Sequence, residues 1–356
     1  MITGLVLQGG GALGAFELGV IEWLLDNGIE LDVVSGVSIG AINAAVLCGH
    51  LHPEPKADLR ELWANLTTPS LPPPLDSVNG HLSIFGNPGM YLPRTDYLNI
   101  LNWTSFYDTS PLRLTLDRLV DFDKLGPANF HRPQRAPRLI LTATNLRSGR
   151  LDRFDSKQMQ LTPAHVLASG SLPPSFPPTV ATAPPDRGGG ERPYWDGGLF
   201  DNTPLSKVIS ALQESKDPQK TMFVVTLFPS QIPLPRNIPE VVTRMMTLAF
   251  SNKAEKDLER ARQTTDIIKL VQELDRLMEQ HPELRPLARH PGYRAVKRFE
   301  APIRIVEITN SEVGAAADFS AAAIEERRSA GYAAAADKIS EQLAAASTAP
   351  EVGAPL

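Results

Sequence analysis

The apolar residues of this chain fall into two alternating patterns, short continuous runs and runs with helical spacing. Residues 5–7 form an apolar run that ends in a glycine cluster, and apolar positions recur every three or four residues from 16 to 24. A second apolar run, at 31–34, leads into a glycine-bounded turn and a small-residue stretch at 41–47. Continuous runs are typical of buried parallel strands, and three-to-four spacing is typical of helices. The N-terminal part therefore predicts the order β-α-β-turn-α.

The same pattern continues through the rest of the chain. Further β-like runs occur at residues 139–143, 223–228 and 303–308, and helical patterns separate them. Strands that alternate with helices favour a mostly parallel sheet with helices on both faces. The predicted fold class is therefore α/β.

Two regions depart from this alternation and suggest how the chain is organised. We predict a main domain over residues 1–235, with an aromatic-rich insertion at about 66–110. This insertion is either an excursion packed by its own aromatic side chains or a cap that lines an apolar substrate pocket. Its aromatic residues are Phe85, Tyr91, Tyr97, Trp103, Phe106 and Tyr107.

The second region is the C-terminal part of the chain. Residues 236–346 are mainly helical by pattern and highly charged up to about residue 298, and the run at 303–308 predicts a strand that completes the domain. The chain is rich in alanine after Ala315, which predicts a helix to about Ala346. Residues 347–356 are predicted to be a disordered tail.

Composition and charge narrow the class of protein. Of the 356 residues, 42% are hydrophobic and 21% charged, which is ordinary for a globular protein. The net charge of −5 argues against a nucleic-acid partner, because such proteins present a basic face. With the single cysteine Cys48, no leader pattern and no long apolar segment, we expect a cytoplasmic protein, soluble or attached peripherally to a membrane.

The strongest chemical signal is the GVSIG motif at residues 36–40, placed between a predicted strand and a predicted helix. Gly36 and Gly40 permit a sharp turn that presents Ser38 at the N-terminus of the helix. The helix dipole and free N–H groups there favour negative charge. Ser38 is therefore predicted to be a nucleophile, although a glycine-rich turn with an incidental serine has the same pattern.

A second glycine cluster follows the first predicted strand. Consecutive glycines let several N–H groups point at one anionic atom, so Gly9, Gly10, Gly11 and Ala12 are predicted to shape an oxyanion hole. The alternative is a dinucleotide fingerprint, because residues 9–14 also satisfy GxGxxG. Asp32 lies at roughly the spacing expected of its ribose-binding acid. Against this alternative, the second strand turns directly into the serine motif.

A nucleophilic serine needs a base, and the histidines offer no recognisable catalytic setting. Asp196 is the better candidate, because Gly197 and Gly198 follow it and Tyr194 and Trp195 could desolvate it. Desolvation raises the pKa of a carboxyl group and makes it a better proton acceptor. An Asp-Gly hairpin turn is the alternative interpretation. The histidines are His50, His52, His81, His131, His165, His281 and His290.

Together these residues resemble the patatin-like phospholipases over about residues 4–210. The glycine loop at residues 9–14, the serine motif at Ser38 and the Asp-Gly-Gly element at Asp196 match the family's motifs in order. Two weaker matches are the small-residue and proline segment at 168–178 and the DNTP sequence at 201–204.

The resemblance implies a three-layer α/β/α fold and hydrolysis of acyl esters of lipids by a Ser38–Asp196 dyad through an acyl-enzyme. It implies no histidine base, no cofactor and no metal. Leu13 stands where many members carry Arg or Lys, and Gln8 where some carry Asp. The stretch from Asp318 to Tyr332 is similar to a C-terminal extension of a bacterial subset of the family.

Three alternatives stay open from the sequence. One is a nucleotide-dependent enzyme that uses the glycine loop, and another is a catalytically silent lipid-binding protein of the same fold. A histidine-assisted α/β-hydrolase is the third, but its serine normally follows several strands, whereas Ser38 follows two. The sequence leaves the acyl substrate, its positional specificity and the oligomeric state open.

Overall fold

A computed structural model describes residues 1–72, 74, 78–131, 136–228, 234–235, 238–297, 301–311 and 315–348. The strands are β1 (Ile2–Leu7), β2 (Val33–Gly36), β3 (Leu92–Pro93), β4 (Tyr107–Asp108), β5 (Arg138–Asn145), β6 (Arg150–Asp155), β7 (Thr179–Thr182), β8 (Glu191–Asp196), β9 (Lys220–Thr226) and β10 (Ile303–Thr309). The α-helices are α1 (Ala15–Asp26), α2 (Ile39–Gly49), α3 (Pro55–Leu66), α4 (Asn79–Leu82), α5 (Ser110–Leu119), α6 (Pro163–Ser169), α7 (Leu205–Gln213), α8 (Ile238–Gln280), α9 (Pro291–Lys297) and α10 (Ala321–Thr348).

The central sheet is mixed, with a parallel part and an antiparallel edge. Its order is β10-β9-β1-β2-β5-β8-β7, and β6 also pairs with β5. Strands β10, β9, β1, β2 and β5 run parallel, whereas β6, β7 and β8 join through antiparallel pairs. The predicted α/β class is confirmed, and the antiparallel edge is an addition to it.

Helices cover both faces of the sheet. Leu5 and Leu7 of β1 pack in one hydrophobic cluster with α1 and α2, whereas Val6 packs in the other with Val208 and Leu212 of α7. Successive side chains of a strand point to opposite faces, so β1 is buried on both. This is why its sequence is a continuous apolar run, and it gives the three layers of an α/β/α fold.

The order of the sheet brings the two glycine motifs together. Strands β1 and β2 are parallel neighbours in the register Leu7 to Gly36, so the segments that follow them leave the same edge. The carboxyl edge of a parallel sheet is where α/β proteins place their ligands. The glycine loop and the serine turn therefore meet at one site.

The C-terminal region is packed onto the rest of the chain. β10 pairs in parallel with β9, and α10 lies along α1. The closest approach is at Gly19 and Gly331, where an added Cβ would overlap backbone atoms of the opposite helix. The last helix begins at Ala321 instead of directly after Ala315, because residues 316–317 form a turn. The division into domains stays a prediction, and most of the predicted tail, residues 349–356, lies outside the described residues.

The aromatic-rich segment has both a packed side and an exposed side. The rings of Tyr91 and Tyr107 lie 4.8 Å apart, and the ring of Tyr91 lies 5.2 Å from Phe176. These contacts fit an excursion packed against the domain by its own aromatic side chains, an interpretation that stays a prediction. The pocket-lining cap stays a prediction. None of the helices within the described ranges is long and apolar enough to cross a membrane.

Candidate active site

Ser38 occupies a strained turn between β2 and α2. Its φ of 55° and ψ of −123° make it the one non-glycine residue with positive φ in the described part of the chain. Such a conformation costs about 1–3 kcal/mol and is found mainly at functional sites. Its side chain lies immediately before α2 and is only half-buried, so an external molecule can reach it.

The two glycines of the motif are required by close backbone contacts. A Cβ on Gly36 would overlap the carbonyl of Gly40, and a Cβ on Gly40 would lie 2.7 Å from the carbonyl oxygen of Leu7. The turn can therefore form only if both positions lack a side chain. Gly36 is therefore required by the turn itself, and Gly40 by the contact of the turn with the end of β1.

Ser169, at the end of α6, also supports this turn. The N–H of Ser38 donates to the carbonyl oxygen of Ser169 at 3.1 Å and approaches the Ser169 hydroxyl at 3.2 Å. In the sequence, Ser169 belongs to the small-residue and proline segment at 168–178, and no role is predicted for it. Its signal is the serine- and glycine-rich end of a short helix, which is too common to single it out.

Asp196 lies at the end of β8, beside Ser38. The N–H of Asp196 donates to the Ser171 carbonyl at 3.0 Å, and its carbonyl accepts from the Thr144 hydroxyl at 2.8 Å. Its carboxyl accepts from the N–H of Gly198 at 2.7 Å, and the Ser38 side chain lies close enough to lower its pKa. These contacts orient the carboxyl group towards the serine.

The environment of Asp196 makes it a weak acid. Its side chain is 2% exposed, and desolvation raises its pKa from 3.8 to about 7, against the opposing effects of the Gly198 and Ser38 hydrogen bonds. A carboxyl group with this pKa can both take up and release a proton near neutral pH. Tyr194, expected to help desolvate it, is buried and donates its hydroxyl to Asp152 at 2.9 Å.

The glycine loop approaches Ser38 closely. A Cβ added to Gly9 would lie 3.0 Å from the Ser38 Cβ and would overlap the side chain of Asn202. The Asn202 side-chain amide donates to the Gly9 carbonyl at 3.0 Å, which holds the loop beside the segment that follows Asp196. Gly10 and Gly11 are partly exposed, whereas Gly9 and Ala12 are buried.

Ala12 differs from the neighbouring glycines. Its N–H donates to the carbonyl oxygen of Ala316 at 2.7 Å. An N–H that is already donating to a carbonyl is not free to stabilise an oxyanion. Of the four residues expected to shape the oxyanion hole, Ala12 therefore contributes by its position in the loop.

Gln8 and Leu13, the two departures from the family pattern, have structural roles. The Gln8 amide donates to the Thr203 hydroxyl at 3.1 Å and accepts from the Leu227 N–H at 2.6 Å. It thereby connects β1 to two neighbouring segments. Leu13 is 3% exposed in the main hydrophobic cluster, so an apolar side chain suits it.

Asp32 lies far from the glycine loop. Its carboxylate accepts from the N–H of Thr3 at 2.9 Å, at the start of β1, whereas the glycine loop follows the end of that strand. At about 3.3 Å per residue, the length of β1 puts roughly 20 Å between them. Asp32 could not bind the ribose of a dinucleotide held by the loop, which weighs against that alternative.

The histidines with described side chains have other partners. His165 accepts from the Thr162 N–H at 3.0 Å and lies 3.1 Å from the Thr182 carbonyl, and burial lowers its pKa. The His52 ring contacts Asp58, and the His281 ring lies 3.2 Å from Glu283. His50 and His290 contact nearby backbone atoms, at 2.6 Å and 3.1 Å. The side chains of His81 and His131 lie outside the described residues.

Within the described ranges, no group of three or more His, Cys, Asp or Glu side chains could hold a metal ion. The absence of a cofactor stays a prediction.

The family follows from comparison with known proteins. A family model described as patatin-like phospholipase matches residues 5–209, more than half of the chain and the whole of the serine, aspartate and glycine-loop region. The chain belongs to the patatin-like phospholipase family. Membership of this family indicates a lipid acyl hydrolase, and its α/β/α fold agrees with the layers described above.

The curated relatives are similar to this chain over a short stretch only, and the similar solved structures have low sequence identity to it. The chain is 51% identical over 45 residues to neuropathy target esterase sws of Drosophila persimilis and of Drosophila melanogaster, which covers 13% of this chain and 3% of each relative. VipD from Legionella pneumophila has a TM-score of 0.42 at 17% identity, covering 96% of this chain and 67% of its own. ExoU of Pseudomonas aeruginosa, in complex with SpcU, has a TM-score of 0.33 at 20% identity, and the match covers 81% of this chain and 59% of the ExoU chain. The family assignment rests on the family model.

Proposed function

We propose that this protein is a serine acyl hydrolase that cleaves acyl esters of lipids with a Ser38–Asp196 dyad. The observation that carries the proposal is the position of the Ser38 hydroxyl beside the buried Asp196 carboxyl, whose pKa is raised to about 7 by burial and lowered by the serine. A strained, reachable serine beside a group able to accept its proton is the arrangement needed for covalent catalysis.

In the first half of the reaction, Ser38 Oγ attacks the ester carbonyl carbon as Asp196 takes the hydroxyl proton. The carbonyl carbon becomes tetrahedral, and the carbonyl oxygen becomes an oxyanion. When this intermediate collapses, the bond to the alcohol breaks and the leaving oxygen takes the proton from Asp196. The product is an acyl-enzyme on Ser38 and a free alcohol.

In the second half, water attacks the acyl-enzyme and gives a proton to Asp196. Collapse of the second tetrahedral intermediate breaks the bond to Ser38 Oγ, and the proton returns to the serine. A carboxylic acid is released and the dyad is restored. The scheme balances without a metal, a nucleotide or a histidine.

The oxyanion is assigned to the N–H groups of Gly10 and Gly11. Both residues are partly exposed in a loop that approaches Ser38, whereas the Ala12 N–H donates to Ala316. One such donor contributes about 3 kcal/mol of barrier reduction in serine hydrolases.

Replacing Ser38 with alanine tests the nucleophile. Ser38→Ala should abolish hydrolysis of a short soluble ester and labelling by a fluorophosphonate, with little change in melting temperature. Ser148→Ala, in an exposed turn, is the matched control and should keep both. Turnover retained by Ser38→Ala would place the nucleophile elsewhere, and a folded wild-type protein with neither labelling nor turnover would favour a silent lipid-binding protein.

The exposed side of the aromatic-rich segment is our candidate for peripheral contact with a lipid surface. Its exposed side chains include several large apolar ones, and Leu98 and Leu101 are almost fully exposed. The segment is joined to the site region, because the N–H groups of Phe106 and Tyr107 donate to carbonyls of the 174–175 segment at 3.2 and 3.0 Å. Moving apolar side chains from water into a layer of acyl chains lowers the free energy, which favours binding to a lipid surface.

Charged substitutions test this surface. Leu98→Glu with Leu101→Glu should reduce co-sedimentation with phosphatidylcholine vesicles and slow hydrolysis of vesicle lipid. Hydrolysis of a short soluble ester should be unchanged. Leu270→Glu, at an exposed leucine of α8, is the control. Equal vesicle binding by the double variant and the control would contradict the proposed contact.

A further inference from the structure

The glycine loop is held from two sides, and only one of them lies within the residues matched by the family. On one side Asn202 bonds the Gly9 carbonyl. On the other, Ala316 accepts from the Ala12 N–H at 2.7 Å. Gly11 has a φ of +56°, and a Cβ there would overlap the Ala316 carbonyl oxygen. The C-terminal region therefore lies directly against the loop assigned to the oxyanion.

One side chain connects this turn to the loop. Arg327 of α10 is 6% exposed, and its guanidinium donates to the Asp318 carbonyl at 2.7 Å and the Ala315 carbonyl at 3.2 Å. It also donates to the carbonyl of Ala12 at 3.4 Å. The planar guanidinium has several donors in fixed directions, so a single group can set the spacing of these carbonyls.

The helix that carries Arg327 is anchored by other contacts. Arg328, the next residue, donates to the buried carboxylate of Glu22 in α1 at 2.7 Å. Phe319 stacks near Trp63 at 6.5 Å, and its carbonyl accepts from the Thr68 N–H at 2.7 Å. Loss of the Arg327 guanidinium should therefore loosen the turn at 315–318 and leave α10 in place.

We infer that Arg327 is a positioning residue for the oxyanion hole. It holds Ala315 and Asp318 so that the Ala316 carbonyl binds the Ala12 N–H, and it binds the Ala12 carbonyl itself. These contacts fix the loop in the orientation that directs the N–H groups of Gly10 and Gly11 towards Ser38. The inference rests on the proposed function and gives the C-terminal region a part in catalysis.

The test compares Arg327→Met with Arg328→Met. Both remove an arginine from the same turn of α10, but only Arg327 bonds the loop and the 315–318 turn. For a short soluble ester, Arg327→Met should lower kcat by about 10- to 100-fold, the loss expected of a misplaced oxyanion donor. KM should stay within about threefold, because the loop acts on the transition state. Arg328→Met should keep kcat within about threefold while losing a similar amount of thermal stability.

A second measurement separates positioning from general loosening. A trifluoromethyl ketone forms an oxyanion on a catalytic serine, so its inhibition constant should rise in Arg327→Met by the factor that kcat/KM falls. Arg327→Lys retains the charge but not the planar fork, and it should lie between the wild type and Arg327→Met in both measurements.

Each outcome decides the inference. It is overturned if Arg327→Met matches Arg328→Met in kcat, or if the ketone binds Arg327→Met as tightly as the wild type. If Arg327→Met does not fold, Arg327→Lys decides by the same measurements, and failure of both to fold would make Arg327 a folding residue and refute the inference. Ser38→Ala separates the two proposals: a fully active Ser38→Ala refutes the proposed function, whereas an inactive Ser38→Ala beside an active Arg327→Met refutes only the role of Arg327.

Discussion

Asp196 and Glu17 are two buried carboxyl groups that both lie next to α2, but their neighbours differ. Asp196 lies beside Ser38, just before the helix, and Glu17 contacts Asn43 within it. Burial raises the pKa of Asp196 to about 7 and that of Glu17 to about 8. The side chain of Ser38 lowers the pKa of Asp196 and is itself partly exposed. Glu17 accepts from the Asn43 amide at 2.9 Å inside the core, where the Trp63 indole N–H also bonds Asn43.

The comparison shows that burial alone does not make a carboxyl group a catalytic base. Both pKa values are raised mainly by desolvation, so a raised pKa by itself marks a buried acid. Asp196 is a candidate base because a reachable serine hydroxyl lies beside it. Glu17 connects α1 to α2 and is expected to influence stability only.

The largest expected effect is on turnover in Asp196→Asn. The amide keeps the shape of the side chain but removes the basic oxygen, so kcat for a short ester should fall by at least about 100-fold. Glu17→Gln, the matched change at the other carboxyl, should stay within about threefold. Variants of the histidines, changed one at a time, should stay within about tenfold. A histidine variant as inactive as Ser38→Ala, beside an active Asp196→Asn, would replace the dyad with a Ser-His system.

A smaller effect is expected from pH. Asp196 must be deprotonated to accept the serine proton, and its pKa of about 7 means that it becomes mostly protonated in acid. We expect kcat to rise about tenfold per pH unit below pH 7 and to level off above about pH 8. A kcat profile from pH 5.5 to 8.5 measures this, and Glu17→Gln should leave its midpoint unchanged. A midpoint near the ordinary carboxyl pKa would show that burial of Asp196 does not tune the reaction.

Replacing Glu17 is expected to have the smallest effect on activity and to change the pH dependence of stability instead. Its pKa is raised from 4.5 to about 8, so between these values the folded protein holds a proton that the unfolded chain has released. This contribution to stability is present below pH 4.5 and is lost as pH rises towards 8, by at most about 1.4 kcal/mol per pH unit. Glu17→Gln should make the free energy of unfolding, measured in urea, fall less steeply over this range. An unchanged slope would show that Glu17 is not desolvated as the structure indicates.

Much of the fold could be predicted because its signals are local. The runs at 5–7 and 139–143 are mainly apolar since their strands are covered on both faces, and each lies within a strand of the sheet. The run at 303–308 alternates apolar and charged residues and lies in the edge strand β10. The antiparallel edge was not predicted, because its strands lack a continuous apolar run. Residues 150–155 and 191–196 mix charged and apolar positions, which a search for continuous runs overlooks.

The start of the C-terminal helix shows a second limit of prediction from local sequence. Alanine content favours a helix directly after Ala315, but the helix begins at Ala321. The Ala315 and Asp318 carbonyls bond Arg327, and the Ala316 carbonyl bonds the Ala12 N–H. Tertiary contacts of this kind override helix propensity, which is worth less than 1 kcal/mol per residue for ordinary residues.

The tightness of the serine turn could be predicted from the sequence, because a Cβ on Gly36 would overlap the carbonyl of Gly40, four residues further on. At Gly40 a side chain would meet the carbonyls of Leu7 and Gln8, so that requirement depends on the pairing of β1 with β2. The other distant groups that meet the turn also depend on the tertiary structure. The register of Ala143 opposite Asp196 carries the carboxyl to the serine, and the packing of α10 on α1 brings Arg327 to the glycine loop. Backbone preferences act over neighbouring residues, whereas contacts between distant segments depend on the order and register of the whole sheet.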